Sequence, residues 1–63
     1  MTIYAIADMV PEECSWFVAG KKYPVVNENE IAFTTYNEFG SLIYSRWKDS
    51  AHLMGGDFRR VEE

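Results

Sequence analysis

The chain has 63 residues, with six basic and ten acidic side chains and a net charge of −4 at pH 7. This length predicts one domain over residues 1–63. Such a domain is near the lower limit for folding alone, because a domain of about 60 residues buries only about 60% of its unfolded surface. The single cysteine, Cys14, excludes a disulfide and a cysteine-based zinc site within one chain. The two Trp, four Tyr and four Phe residues are expected to supply the core, and homodimerisation is a further way to bury surface.

The beginning of the chain, MTIYAIADMV, has no basic segment followed by a long apolar run, so no signal peptide is predicted. No segment approaches the roughly 18 to 20 apolar residues that a membrane span needs. We therefore expect a cytoplasmic protein, or one delivered into a host cell, without a membrane partner.

The first strand is predicted over Thr2–Asp8, where both faces carry apolar residues. Pro11 follows soon after and cannot donate to a ladder. The segment Pro11–Ala19 is open to two interpretations. A helix beginning at Pro11 is one, and a loop leading into a short extended Trp16–Val18 is the other. The second is preferred, because the segment is short and its aromatic and β-branched residues favour strand.

A β-meander is predicted over Gly20–Trp47, where three β-rich runs are separated by two polar turns. The strands are Lys22–Val26, Ile31–Tyr36 and Leu42–Trp47, and the turns are Asn27–Glu30 and Asn37–Gly40. Pro24 has no amide hydrogen. Its strand should therefore lie at a sheet edge, or its nitrogen should face away from a partner.

The last third predicts one helical turn and one strand. Asp49 or Ser50 can cap a turn that runs through Leu53 and ends at Gly55–Gly56. Phe58–Val61 is then the final strand. Five strands with one helical turn before the last favour a small all-β barrel, since closure removes exposed sheet edges.

The chain resembles small SH3-like β-barrel proteins that are common in phage and prophage genomes. The resemblance spans Trp16–Val61 and depends on turns and core positions. The matching positions are Gly20, Lys21, Tyr23, Val25, Gly40, Ala51–Leu53 and Phe58. The chain departs from the family at Asn37, where an acidic residue usually leads into the hairpin. The resemblance implies an SH3-like barrel of about five antiparallel strands and a phage-like origin, and it supplies no catalytic residues.

No motif for catalysis or metal binding is present. Cys14 and His52 are isolated, whereas a nucleophilic dyad needs a positioned partner and a metal site needs three or four ligands. Gly55–Gly56 lacks the spacing of a phosphate-binding loop. We therefore expect neither an enzyme nor a cofactor.

The acidity is unevenly distributed. Residues 1–45 have six acidic and two basic side chains, whereas residues 46–63 have four of each. An acidic surface repels DNA and attracts a basic protein surface. The first functional hypothesis is therefore a non-enzymatic inhibitor or adaptor that binds a basic surface of a host protein. Its predicted contact residues are Asp8, Glu12, Glu13, Glu28, Glu30, Glu38 and Phe39.

Small acidic phage proteins include anti-CRISPR proteins, several of which imitate the charge of DNA. The chain is similar to these in size and acidity only, and this similarity extends the first hypothesis to a DNA mimic that occupies a nucleic-acid-binding groove. The second hypothesis is a small single-stranded nucleic-acid-binding module, because aromatic and basic residues alternate near the end of the chain. Base stacking on exposed aromatic rings contributes roughly 1–3 kcal/mol per base. Its predicted residues are Tyr44, Trp47, Arg59 and Arg60.

Overall fold

A computed structural model describes residues 1–63 and contains five strands and one 3₁₀ turn. The strands are β1 (Ile3–Ile6), β2 (Lys22–Glu28), β3 (Ala32–Tyr36), β4 (Leu42–Arg46) and β5 (Arg59–Glu62). They form one antiparallel sheet in the order β4-β3-β2-β1-β5. The 3₁₀ turn, Ala51–Leu53, lies between β4 and β5, and no helix is long enough to cross a membrane. The predicted all-β class, with five antiparallel strands and a helical turn before the last, is confirmed.

Strand β2 differs from its prediction in length and in position. Asn27 and Glu28 continue the strand, although the sequence predicts them as loop, because the ladder with β3 resumes after an irregularity between Val25 and Asn27. The strand pairs with β1 on one side and with β3 on the other. Of the two alternatives predicted from Pro24, the edge strand is therefore wrong, and the alternative that the Pro24 nitrogen faces away from a partner remains. The Thr35 hydroxyl donates to the Pro24 carbonyl at 2.6 Å.

The segment between β1 and β2 forms neither the predicted short strand at Trp16–Val18 nor a helix. It is a loop held by contacts at both ends. Gly20 N donates to Ala7 O at 2.9 Å. Trp16 Nε1 donates to His52 O at 2.9 Å, and Glu38 N donates to Trp16 O at 2.8 Å. The loop therefore joins β1 to the 3₁₀ turn and to the β3–β4 turn.

The 3₁₀ turn begins at Ser50, one of the two predicted caps, whose hydroxyl accepts a hydrogen bond from His52 N. It ends at Met54, which adopts the left-handed conformation (φ 54°), and Gly55 after it also has a positive φ of 95°. Ser50 is fully buried, and its hydroxyl lies 2.7 Å from that of Ser45 in β4. This pair of hydroxyls fixes the 3₁₀ turn against the sheet.

The core lies on the inner side of the sheet and is mostly aromatic. Phe58 packs edge-to-face against Phe17 and Phe33, with ring centroids 5.1 Å apart in each pair. Phe33 also packs against Trp47 at 4.2 Å. The two outermost strands, β4 and β5, do not pair with each other. Phe58 N instead donates to Trp47 O at 2.7 Å, just beyond the end of β4.

Candidate functional site

Three of the predicted partner-binding carboxylates are engaged with cations of the same chain. Glu28 makes a two-point contact with Arg60, at 2.8 and 2.9 Å. Asp8 contacts Arg59 in the same way, at 3.0 and 3.1 Å. Glu38 pairs with Lys21. All three pairs are partly exposed, and exposed pairs contribute little to stability.

These contacts shift the acid–base properties of the side chains. The hydrogen bond from Arg60 holds the pKa of Glu28 below its usual value, and the hydrogen bond from Arg59 does the same for Asp8. The pKa of Glu38 is lowered by hydrogen bonds from Lys21 and then from Tyr23. The three carboxylates are thus ionised and already bound by partners within the chain.

Tyr23 connects the Glu38 carboxylate to the core. Val18 N donates to the Tyr23 hydroxyl at 2.6 Å, and the hydroxyl donates to Glu38 Oε2 at 2.9 Å. Burial is the main reason that the pKa of Tyr23 rises to about 12. The side chain of Glu38 therefore belongs to a structural network that joins β2, the β1–β2 loop and the β3–β4 turn.

The remaining charge is strongly unbalanced. Five of the ten acidic residues lie in ion pairs, which leaves five carboxylates without one. These unpaired carboxylates are Glu12, Glu13, Glu30, Asp49 and Asp57. Among the six basic residues, only Arg46 and Lys48 have no carboxylate partner. The field outside the molecule is consequently dominated by free carboxylates.

A cleft of about 580 Å³ opens where the β2–β3 loop faces the ends of β4 and β5. Its apolar walls are Trp47 and Phe58, and its polar walls are Glu28, Asn29, Glu30, Lys48 and Arg60. The Glu28–Arg60 pair forms one side. Glu30 and Lys48 offer one free charge of each sign at the rim. An apolar base with a charged rim is the usual anatomy of a protein contact site.

The structure separates the predicted partner-binding residues into different regions. Glu28 and Glu30 lie before β3, by the cleft, whereas Glu38 and Phe39 lie in the turn that follows β3. The Asn37 side chain shapes this turn by accepting hydrogen bonds from Phe39 N and Ser41 N. Phe39 is 67% exposed at the tip. Glu12 and Glu13 are exposed in the β1–β2 loop.

Of the four predicted nucleic-acid-binding residues, Trp47 and Arg60 line the cleft together, whereas Tyr44 and Arg59 lie outside it. Tyr44 is 64% exposed, whereas Trp47 packs against Phe33 and is only 9% exposed, at the wall of the cleft. Arg59 and Arg60 point to opposite sides of β5, since they are adjacent in the strand. Each of them already binds a carboxylate.

An apolar surface on the outer side of the meander combines Tyr44 with three residues for which the sequence predicts no role. Val26, Tyr36, Leu42 and Tyr44, here called the outer face, are 53–64% exposed. Tyr36 pairs directly with Leu42 across β3 and β4, and Tyr44 is two residues further along β4. Apolar residues at successive positions of the predicted strands were the available signal, because a half-buried strand alternates apolar and polar residues.

Cys14 is buried with a free thiol, and His52 lies in the 3₁₀ turn. No group of three or more histidine, cysteine, aspartate or glutamate side chains is arranged to hold a metal ion. A comparison of the chain with protein-family models, with curated proteins and with solved structures finds no match.

Proposed function

We propose that the protein is a non-enzymatic inhibitor or adaptor, of the kind that phages encode, and that it binds a basic surface of a host protein. The supporting observation is the charge that remains after internal pairing: five free carboxylates against two free cations. Such an imbalance attracts a basic partner and raises its association rate, and the attraction weakens as salt is added.

The pairing pattern sharpens which acidic residues make the contact. Glu12, Glu13 and Glu30 are free to meet cations of a partner. Asp8, Glu28 and Glu38 would first have to leave Arg59, Arg60 and Lys21. We therefore assign the attraction to the free carboxylates. Phe39, at 67% exposure, is a candidate apolar contact.

Inhibition follows where the basic surface is a groove that binds nucleic acid. Lysine and arginine side chains in such a groove neutralise phosphates and release counterions. Carboxylates of this protein would occupy the same cations, so nucleic acid and protein would exclude each other. A protein adaptor would use the same attraction on a basic surface that binds no nucleic acid.

The test compares two triple variants of equal net charge. The first, E12Q/E13Q/E30Q, removes three free carboxylates, and the second, T2K/M9K/S41K, adds three cations at exposed neutral positions. Both change the net charge from −4 to −1, because each adds three positive units. Tagged protein of each type is used to capture proteins from a bacterial host lysate, and the captured proteins are identified by mass spectrometry.

We expect the unaltered protein to enrich a basic host protein, with capture lost at high salt. The first variant should lose that protein, and the second should retain most of it. Equal loss of capture in both variants would show that net charge alone, and not the position of the carboxylates, determines binding. Undiminished capture by the first variant would contradict the assignment. Gel-shift titration with a single-stranded oligonucleotide tests the nucleic-acid hypothesis separately, and a shift at physiological salt would favour that hypothesis.

A further inference from the structure

Strand β5 leaves one edge of the sheet open. On its other side, Thr2 and Glu63 exchange two backbone hydrogen bonds, at 2.6 and 2.9 Å, and successive pairs of an antiparallel ladder alternate between bonded and non-bonded. The residues along β5 whose backbone bonds to β1 are therefore Arg59, Val61 and Glu63. The N–H and C=O groups of Arg60 and Glu62 face away from β1, towards the open edge.

The open edge is not covered by another part of the chain. No backbone–backbone hydrogen bond outside the strand ladders involves Arg60 or Glu62. The edge of β4 is different, because the His52 ring of the 3₁₀ turn lies 3.3 Å from Tyr44 O. A row of unpaired backbone groups is a template for a further strand. The occupant that fits this edge is therefore an extended chain.

The charges along β5 identify that chain. The segment Arg59-Arg60-Val61-Glu62-Glu63 has two cations, a central apolar residue and two anions, so it is complementary to itself in the antiparallel direction. With a two-fold axis at Val61, Arg60 stands opposite Glu62 of a second copy, and Arg59 stands opposite Glu63 of that copy. Opposite charges that face each other across two strands stabilise the pairing, and like charges destabilise it. A parallel copy in the same register would place like charges opposite each other.

We infer that two copies of the chain pair antiparallel through the open edges of β5, so that their sheets continue as one. Arg60 and Glu62 of the second copy form a bonded pair, which exchanges both backbone hydrogen bonds. The half-buried Val61 faces its own equivalent. A two-fold contact uses the same edge on both copies and closes the assembly at a dimer. Main-chain hydrogen bonds provide the affinity in this mode of recognition, and the side chains provide the specificity.

The ion pairs within the chain leave donors for these contacts. Arg59 uses Nε and Nη2 to bind Asp8, and Arg60 uses the same two nitrogens to bind Glu28. The Nη1 group of Arg60 reaches Glu62 of its own chain at 3.3 Å, the longest of the ion pairs. Both arginine side chains stay about half exposed. A second copy therefore adds ion pairs without breaking the two-point contacts. Because exposed pairs contribute little, the dimer should be weak and concentration-dependent.

Sedimentation equilibrium tests the inference with two variants, R60E and E62R. Each variant places like charges opposite each other in its own dimer, so each should self-associate at least about tenfold more weakly than the unaltered protein. In an equimolar mixture of the two variants opposite charges face each other again, and association should return. Net charge does not drive this recovery, because R60E changes −4 to −6 and E62R changes −4 to −2, so both variants stay acidic.

The matched control is E13R, which has the same net charge as E62R and alters an exposed residue of the β1–β2 loop. It should dimerise like the unaltered protein, and R60E mixed with E62R should associate more strongly than R60E mixed with E13R. A monomer over the range from about 1 μM to about 1 mM, in which weak complexes dissociate, would overturn the inference. Equal association of the two mixtures would overturn it as well.

Hydrogen exchange of the unaltered protein provides a measurement that does not depend on the folding of the variants. As the protein is concentrated, the amide hydrogens of Arg60 and Glu62 should become protected from exchange, because only the second copy supplies their acceptors. Those of Arg59 and Val61 already bond to β1 and should change little. Exchange of the Arg60 and Glu62 amides that is independent of concentration would contradict the pairing.

Discussion

The two sides of the β2–β4 meander have similar apolar side chains, but one side is buried and the other is exposed. The inner side carries Phe33 and the partly buried Val25, and the outer side carries Tyr36 and Tyr44. Neighbouring residues of one strand thus serve different purposes, because successive side chains point to opposite faces. The inner side is covered by Phe17 from the β1–β2 loop, Leu53 from the 3₁₀ turn and Phe58, whereas the four apolar side chains of the outer face stay more than half exposed.

The hydrophobicity of the side chains alone therefore does not define the core of this protein. What defines it is the set of segments outside the meander that fold over one side of it. Stability should therefore be concentrated on the inner side. Substitutions on the outer side should leave the free energy of unfolding almost unchanged.

The largest contrast is expected between Phe33→Ala and Tyr44→Ala. Phe33 is 1% exposed and contacts both Trp47 and Phe58, so its truncation should cost about 3–5 kcal/mol of unfolding free energy. Such a loss is enough to unfold a small domain of marginal stability. Tyr44→Ala should change the unfolding free energy by less than about 0.5 kcal/mol. Urea denaturation followed by tryptophan fluorescence measures the unfolding free energy of both variants. Equal losses would contradict the predicted difference between the two sides.

A smaller effect is expected from the buried hydroxyl pair of Ser45 and Ser50. Replacing either serine with alanine leaves the other hydroxyl without this partner, at a cost of about 1–3 kcal/mol. Ser50→Ala should be the more costly, because its hydroxyl also caps the 3₁₀ turn by accepting from His52 N. The double variant should cost clearly less than the sum of the two, as coupled partners do. Additive costs in denaturant unfolding would show that the two hydroxyls do not interact.

The Tyr23 network predicts an alkaline limit to stability. Because the pKa of Tyr23 is raised to about 12 in the folded protein from an ordinary value of 10.0, the neutral phenol is the form that folding favours. Its contribution is fully present below pH 10 and is lost as the pH rises through about 12. Tyr23→Phe should therefore weaken the fall in stability over this range. Thermal melts of both proteins at stepped pH measure this fall in stability. Parallel curves of melting temperature against pH would contradict its assignment to Tyr23.

The smallest effect is expected at acid pH. The pKa values of Glu28 and Glu38 lie below their ordinary 4.5, and that of Asp8 lies below 3.8. Their stabilising contribution is present above these ordinary values and is lost as the pH falls through the lower values of the folded state. The dependence should decrease in Glu28→Gln and should be screened by salt. Thermal melts of both proteins at stepped acidic pH measure this dependence.

The meander could be predicted from sequence because its signals are local. Polar turns such as Asn37–Gly40 delimit the strands, and the residue that caps the 3₁₀ turn, Ser50, is one of the two caps that the sequence predicts, with Asp49. The ends were harder. Asn27 and Glu28 look like loop residues, and only their pairing with β3 makes them strand. Trp16–Val18 has strand-forming residues, but contacts with Glu38 and His52 hold it in a loop.

The candidate site could be predicted only in part, since a charge count does not reveal pairing. Glu28 and Arg60 are 32 residues apart in sequence and meet across the sheet. No local sequence pattern predicts that contact. Because of it, Glu28, a predicted partner-binding residue, is one side of an internal ion pair. Glu30, two residues from Glu28, remains unpaired. Which acidic residues are free therefore depends on strand register, and register is fixed by the whole fold.

The hydrogen bond from Phe58 N to Trp47 O has a consequence for motion within the folded state. Strands β4 and β5 share no ladder, so the hydrogen bonds that join the two ends of the sheet are this one, those of the short Ser50–Gly56 bridge and the bond from Asp49 N to Asp57 Oδ1. They can break without disturbing any strand pair. The amide hydrogen of Phe58 should consequently exchange with solvent through a local opening, whereas that of Phe33 should exchange only when the domain unfolds.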